Sequence, residues 1–159
     1  MTAHRPAAAV ALLASSILLA GCTALGGAGG APSPTPTGPP EVDVLDLAVG
    51  DCLDTHGKPG ITKSVPVVDC SLEHDSEAYA TIALDDGSFP GDDSVKSSAQ
   101  EGCTEAFAAF AGIDYASSTL DYAYYFPTAG SWAGGDRRIL CLIVDPGERV
   151  TGTLEGAAR

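Results

Sequence analysis

The sequence predicts an α+β domain, one helix packed on an antiparallel or mixed sheet in the order β-β-β-α-β-β. Three observations carry this. A single stretch, Ser94 to Ala111, repeats apolar residues at helical spacing. The runs around it are β-branched or alternate in polarity. Cysteines fall on both kinds of segment, as expected of a small exported domain held by disulfides.

The first 21 residues read as an export signal. His4 and Arg5 precede an apolar run from Ala7 to Ala20, too short for the roughly 20 apolar residues of a membrane-spanning helix. The run ends in Leu19-Ala20-Gly21-Cys22, which resembles the lipobox of bacterial lipoproteins. That resemblance implies cleavage after Gly21 and a diacylglycerol thioether on Cys22, with acyl groups such as palmitate. Two acyl chains anchor stably where one holds marginally, so the expected location is the extracytoplasmic face of the cell membrane. An ordinary secretory signal ending near Ala31 is the alternative.

Residues 22–40 comprise Cys22 and an uncharged Gly, Ala, Pro, Ser and Thr spacer (TALGGAGGAPSPTPTGPP), a composition unable to bury a core. Its 18 residues span roughly 55 Å as polyproline II and roughly 20–25 Å as a coil. The folded unit is then 41–159, with its core at about 47–144.

Within that unit, Gly50 to Leu53 begins a short strand, and Asp54 to Ser64 is a loop with a His56-Gly57-Lys58-Pro59-Gly60 turn. Val65 to Val68 is a second strand whose Pro66 suits an edge or a strand start. Ala78 to Leu84 is the third. Asp85 to Asp93 is turn-rich, and its last aspartates are expected to cap the helix. On the helix, Val95, Ala99, Cys103, Ala106, Phe107 and Phe110 share one face, and Gly112 ends it. Asp121 to Phe126 is an aromatic strand closed by Pro127, and Arg138 to Val144 (RILCLIV) is apolar on both faces, as a central strand would be. Val150 to Leu154 suggests a last edge strand before a frayed tail.

Cys52, Cys70, Cys103 and Cys141 remain once Cys22 takes lipid. Four cysteines allow three pairings. Cys52 with Cys70 and Cys103 with Cys141 are favoured, because the first pair flanks a compact excursion and the second pins a helix to a strand. A thiolate metal site is disfavoured, since no pair has the C-x2-4-C spacing.

The chain has 159 residues, 8 Lys and Arg against 21 Asp and Glu, and a net charge of −13. Removing the signal takes Arg5 and no acid, so 7 basic and 21 acidic side chains leave −14. Neutralising phosphates needs cationic surface, so nucleic acid is excluded as a partner. An acidic domain is also repelled by anionic headgroups, and the spacer sets it beyond a Debye length of about 8 Å.

The blocks Val49-Gly50-Asp51-Cys52-Leu53, then Val67-Val68-Asp69-Cys70 with Glu73-His74-Asp75-Ser76-Glu77-Ala78-Tyr79-Ala80, the Cys103 helix, and Trp132-Ala133-Gly134-Gly135-Asp136-Arg137 with Cys141 together resemble the septum formation domain of actinobacterial envelope proteins. The likeness covers roughly residues 47–144. Similar proteins often have Pro where Glu73 stands and Val where Ala78 stands, and many carry the domain beside transmembrane helices. The resemblance implies an extracytoplasmic domain linked to cell division and brings no agreed biochemical activity.

Each candidate site has a structural alternative. His74 with Asp75, Glu77 and His56 offers Zn²⁺ donors, but the spacing matches no H-x3-H or H-E-x-x-H arrangement. A histidine fixed by local hydrogen bonds is the simpler reading. Asp85-Asp86 and Asp92-Asp93 lack the EF-hand order, and turn and cap roles account for them. No G-x-S-x-G elbow is present, and the domain cysteines are expected to be oxidised. Trp132, Asp136 and Arg137, with His74, form the candidate binding surface, against the reading that Trp132 covers the core.

The expectation is therefore a non-catalytic envelope lipoprotein that binds an envelope protein or a cell-wall component and needs no cofactor. The alternatives are a metal-dependent envelope enzyme using His74 and nearby carboxylates, and a purely structural spacer.

Overall fold

The computed structural model describes residues 38–55 and 62–159. The signal, Cys22, most of the spacer and His56 lie outside the described residues. Six strands form one antiparallel sheet: β1 (Glu41–Asp43), β2 (Cys52–Leu53), β3 (Ser64–Val68), β4 (Ser76–Ala83), β5 (Asp121–Tyr125) and β6 (Arg138–Val144). Their order is β1-β3-β2-β4-β6-β5. The long helix α1 is Asp92–Ala111 and the short α2 is Ala129–Ala133.

β6 falls where the doubly apolar RILCLIV run places it, flanked by β4 and β5, with Ile139 to Ile143 buried. α1 buries Val95, Ala99, Cys103, Phe107 and Ala111 at steps of four. It ends at Gly112, whose φ of 78° lets its N–H reach the Ala108 carbonyl at 3.0 Å. α1 begins two residues before Ser94, and Gly91, not an aspartate, holds the cap position. Asp92 and Asp93 instead occupy the first turn, where their charge complements the helix dipole. At Gly102 an added Cβ would lie 2.9 Å from the Ile82 side chain, so the missing carbon permits the close approach of α1 to β4.

Both favoured disulfides are present. Cys103–Cys141 is wholly buried and joins α1 to β6, while Cys52–Cys70 joins β2 to the residue group just after β3. The Tyr79 hydroxyl adds a further tie, donating to the Cys103 carbonyl at 2.7 Å.

A bulge in β4 decides what faces what. Register slips between Ala78 and Ala80, leaving Tyr79 as the extra residue. Ala78 therefore packs in the cluster away from α1 with Leu47, Leu53, Val65, Leu140 and Leu142, whereas Ala80 and Ile82 join the α1 side. The even positions change face across one inserted residue.

Three further expectations need correction. Pro66 is not on an edge, because β1 pairs outside β3. The Pro66 carbonyl accepts from the Asp54 N–H at 3.1 Å, so its nitrogen faces the same flank, where β2 has just ended and no ladder bond is lost. Val150–Leu154 forms no strand: Val150 makes a single bridge with His74, and Gly152, at φ 81°, turns the chain away. The tail is not frayed. Gly156 and Ala158 donate to the Phe110 and Ala111 carbonyls, both at 2.8 Å, Leu154 is buried, and Arg159 pairs with Asp145.

Candidate functional site

The face of the sheet away from α1 is concave. Arg138, at the start of β6, donates to the carbonyls of Val44 (2.9 Å), Leu45 (2.8 Å) and Leu47. Those residues follow β1, which three strands separate from β6 in the sheet order. The sheet must curl to bring them together, and the curl leaves a groove of about 1280 Å³. Its floor is Ala123, Tyr125, Leu140 and Leu142, its rims include Val44 and Leu45 on one side and Pro146 to Arg149 on the other.

Polar groups line the margins. Asp75 accepts from the Thr55 hydroxyl at 2.9 Å and the Ser76 hydroxyl at 3.1 Å. Arg149 and Asp54 are an ion pair at 2.7 Å. Burial, and then the negative charge of Asp75, pushes the Tyr125 phenol above its ordinary range, so it stays a hydrogen-bond donor at any physiological pH. Leu45 is 54% exposed at the rim, a large apolar side chain left to solvent.

The candidate residues Trp132, Asp136 and Arg137 do come together, at one end of this groove. Trp132 sits on α2, whose start is fixed by a reciprocal Thr128–Ser131 capping box. Its ring is only 6% exposed; the indole N–H donates to the Gly87 carbonyl at 2.9 Å, Phe89 packs edge-on at 5.6 Å, and the Arg137 guanidinium covers the ring at 3.8 Å. Trp132 is thus a packing residue, not a surface platform, which corrects its place in the candidate surface. Arg137 donates to the carbonyls of Trp132 and Asp136, both at 2.8 Å, and faces Asp86 at 3.4 Å. Asp136 accepts from the Arg138 backbone N–H at 3.1 Å. Together they brace Arg138. Asp136 and Ser131 also line the groove, which continues past Leu45 into a hollow of about 400 Å³ beside Gly134, Gly135 and Arg137.

His74 does not join them, which corrects its place on that surface. It is wholly buried, its Nδ1 donating to the Leu72 carbonyl at 2.9 Å, which sets the tautomer and leaves Nε2 without a hydrogen-bond partner. The neighbouring acids turn elsewhere: Glu77, 3% exposed, accepts from the Thr153 hydroxyl and the Leu154 N–H, each at 2.7 Å. Among the described residues the one cluster with metal-type donors is Cys52, Cys70 and Glu77, and both sulfurs there are committed to their disulfide. Asp85, Asp86, Asp92 and Asp93 form no such cluster among the described residues.

Sequence reasoning missed the groove residues Leu45, Tyr125 and Leu142. The signal available was the pairing of Arg138 with an apolar strand: a charged residue opening a buried run needs acceptors, and here they are backbone carbonyls far away in the chain.

The family model described as septum formation matches residues 43–149, a span that includes both disulfides, β2 to β6 and most of the groove lining. No curated protein and no solved structure matches the chain. With that model matched over more than half of its length, the chain belongs to the septum formation family.

Proposed function

We propose that this chain is a non-catalytic, lipid-anchored binding module of the cell envelope, acting in septum formation by taking a partner in its concave groove. The observation that carries the reading is the groove itself: a preformed, largely apolar concavity with a few placed polar groups is the usual form of a recognition site. The family supports the link to division. The Leu19-Ala20-Gly21-Cys22 sequence and the uncharged spacer support an anchor that lets the acidic domain stand off the membrane.

An enzymatic reading based on His74 finds little support. The imidazole is buried, and its one bonded nitrogen is held by a backbone carbonyl. A general base must come within reach of the proton it moves.

Site-specific photocrosslinking in growing cells tests the proposal. A crosslinking amino acid at Leu45, on the groove rim, is expected to give a discrete adduct enriched at division sites, and one at Glu101, exposed on α1, is expected to give none. Equal adducts at both positions, or no adduct at Leu45, would contradict the proposal.

A further inference from the structure

β5 ends the sheet, and among the described residues no strand pairs with its outer edge. The direction of its backbone groups follows from register. Leu84 donates to the Arg137 carbonyl at 2.7 Å, so Arg137, Ile139 and Cys141 point their backbone groups at β4. Arg138, Leu140, Leu142 and Val144 therefore point theirs at β5, where their partners are the odd-numbered Asp121, Ala123 and Tyr125. Tyr122 and Tyr124 are left facing outward. The Tyr122 N–H confirms the parity, since it is taken by its own neighbour's Asp121 carboxylate at 2.8 Å. The outward N–H and C=O of Tyr124 meet no backbone partner among the described residues. A free edge of this kind is a template for one more strand.

The surroundings suit such a strand. The groove wraps the edge, with Ala123 and Tyr125 on the concave side and Tyr124 and Phe126 on the other. An added strand sends successive side chains to opposite faces, so one set enters the groove and the next lies over the aromatic pair, whose rings are 5.9 Å apart.

Charge selects the occupant. Six carboxylates and four cations line the groove. Two of those cations are committed inside the domain, Arg138 to three carbonyls and Arg149 to Asp54, and Lys96 lies over the Phe126 ring, while among the carboxylates Asp145 is paired with Arg159. The chain as a whole carries −13. That field attracts a basic partner and opposes a second copy of the same acidic domain. We infer that β5 is a docking strand, to whose free edge an extended, basic segment of a partner protein adds with alternate side chains in the groove. This deepens the binding reading above and rests on it.

Proline at Tyr124, compared with alanine there, isolates the claim, because beyond the ring that both remove it takes away an outward N–H from an edge strand, a place where proline is tolerated. Tyr124→Ala is the control, losing the ring and keeping the N–H. The probe is an eight-residue peptide alternating lysine and valine, fluorescently labelled, titrated against the full chain with folding checked by circular dichroism. Saturable binding is expected. It should fall about tenfold further in Tyr124→Pro than in Tyr124→Ala, the loss of roughly one backbone hydrogen bond. The same peptide with glutamate for lysine should bind still more weakly. No saturable binding, equal binding by the two variants, or preference for the glutamate peptide overturns the inference. A dimer in sedimentation that Tyr124→Pro abolishes also overturns it, by giving the edge to a second copy. Leu45 crosslinks that persist unchanged in a Tyr124→Pro strain remove strand addition and leave groove binding standing, whereas their absence from the unmodified chain removes both.

Discussion

On the α1 side of the sheet eleven residues are buried, Phe107, Val95, Cys103 and Ile139 wholly, whereas on the concave side six are (Leu47, Leu53, Val65, Ala78, Leu140 and Leu142), with Val42, Val44, Ala123 and Tyr125 only partly covered. β4, β5 and β6 supply both faces, while β1, β2 and β3 add to the concave cluster alone, so strand chemistry does not separate the faces. What separates them is what lies on top. The closed face is covered by a 20-residue helix, five mutually packed aromatic rings (Tyr79, Phe107, Phe110, Tyr115 and Tyr122) and a buried disulfide. Among the described residues the concave face is covered where the segment after β1 folds over it, held by Arg138 and by the Val44 N–H on the Lys63 carbonyl at 2.9 Å. A small domain has little stability to spare, and here most of it is built on one side, leaving the other free to bind.

The contrast breaks first at Phe107. Phe107→Ala should cost about 3–5 kcal/mol, as for other buried aromatics, and urea unfolding should show most of the domain's stability gone. A loss below about 1 kcal/mol would mean that the closed face is not where the stability lies.

Arg138 sharpens the contrast, because it belongs to both sides. Arg138→Met keeps the length of the stem and strands the carbonyls of Val44, Leu45 and Leu47. A cost of about 1–3 kcal/mol is expected. Hydrogen exchange should quicken in β1 and the residues after it while protection on α1 is kept. Uniform loss of protection would show that the two faces are a single cooperative unit.

How much of this was legible in the sequence follows the same division. The α1 side depends on local periodicity, so Val95 to Phe107 and the RILCLIV strand are readable from spacing alone. The Cys103–Cys141 bond is readable too, since one cysteine lies on the helix face and the other on the strand beneath it. The concave side depends on Tyr79 and Arg138. One bulged residue exchanges the faces of Ala78 and Ala80, and Arg138 reaches carbonyls 91 to 94 positions away. Neither event leaves a periodic trace. Trp132 shows the same limit from the other direction: a tryptophan among glycines leaves a core cover and a binding surface both open until Phe89, Gly87 and Arg137 are seen to enclose it.

The most direct measurement fills the groove without touching the closed face. Ala123 lies on the groove floor and is only partly buried, so Ala123→Trp should occupy the site while changing stability by less than about 1 kcal/mol. Introduced as the sole copy in cells, with melting temperature and non-reduced disulfide mapping confirming an intact fold, the variant is predicted to leave septa defective to the same degree as deletion of the gene. Normal septation with a folded, groove-filled chain would contradict the account.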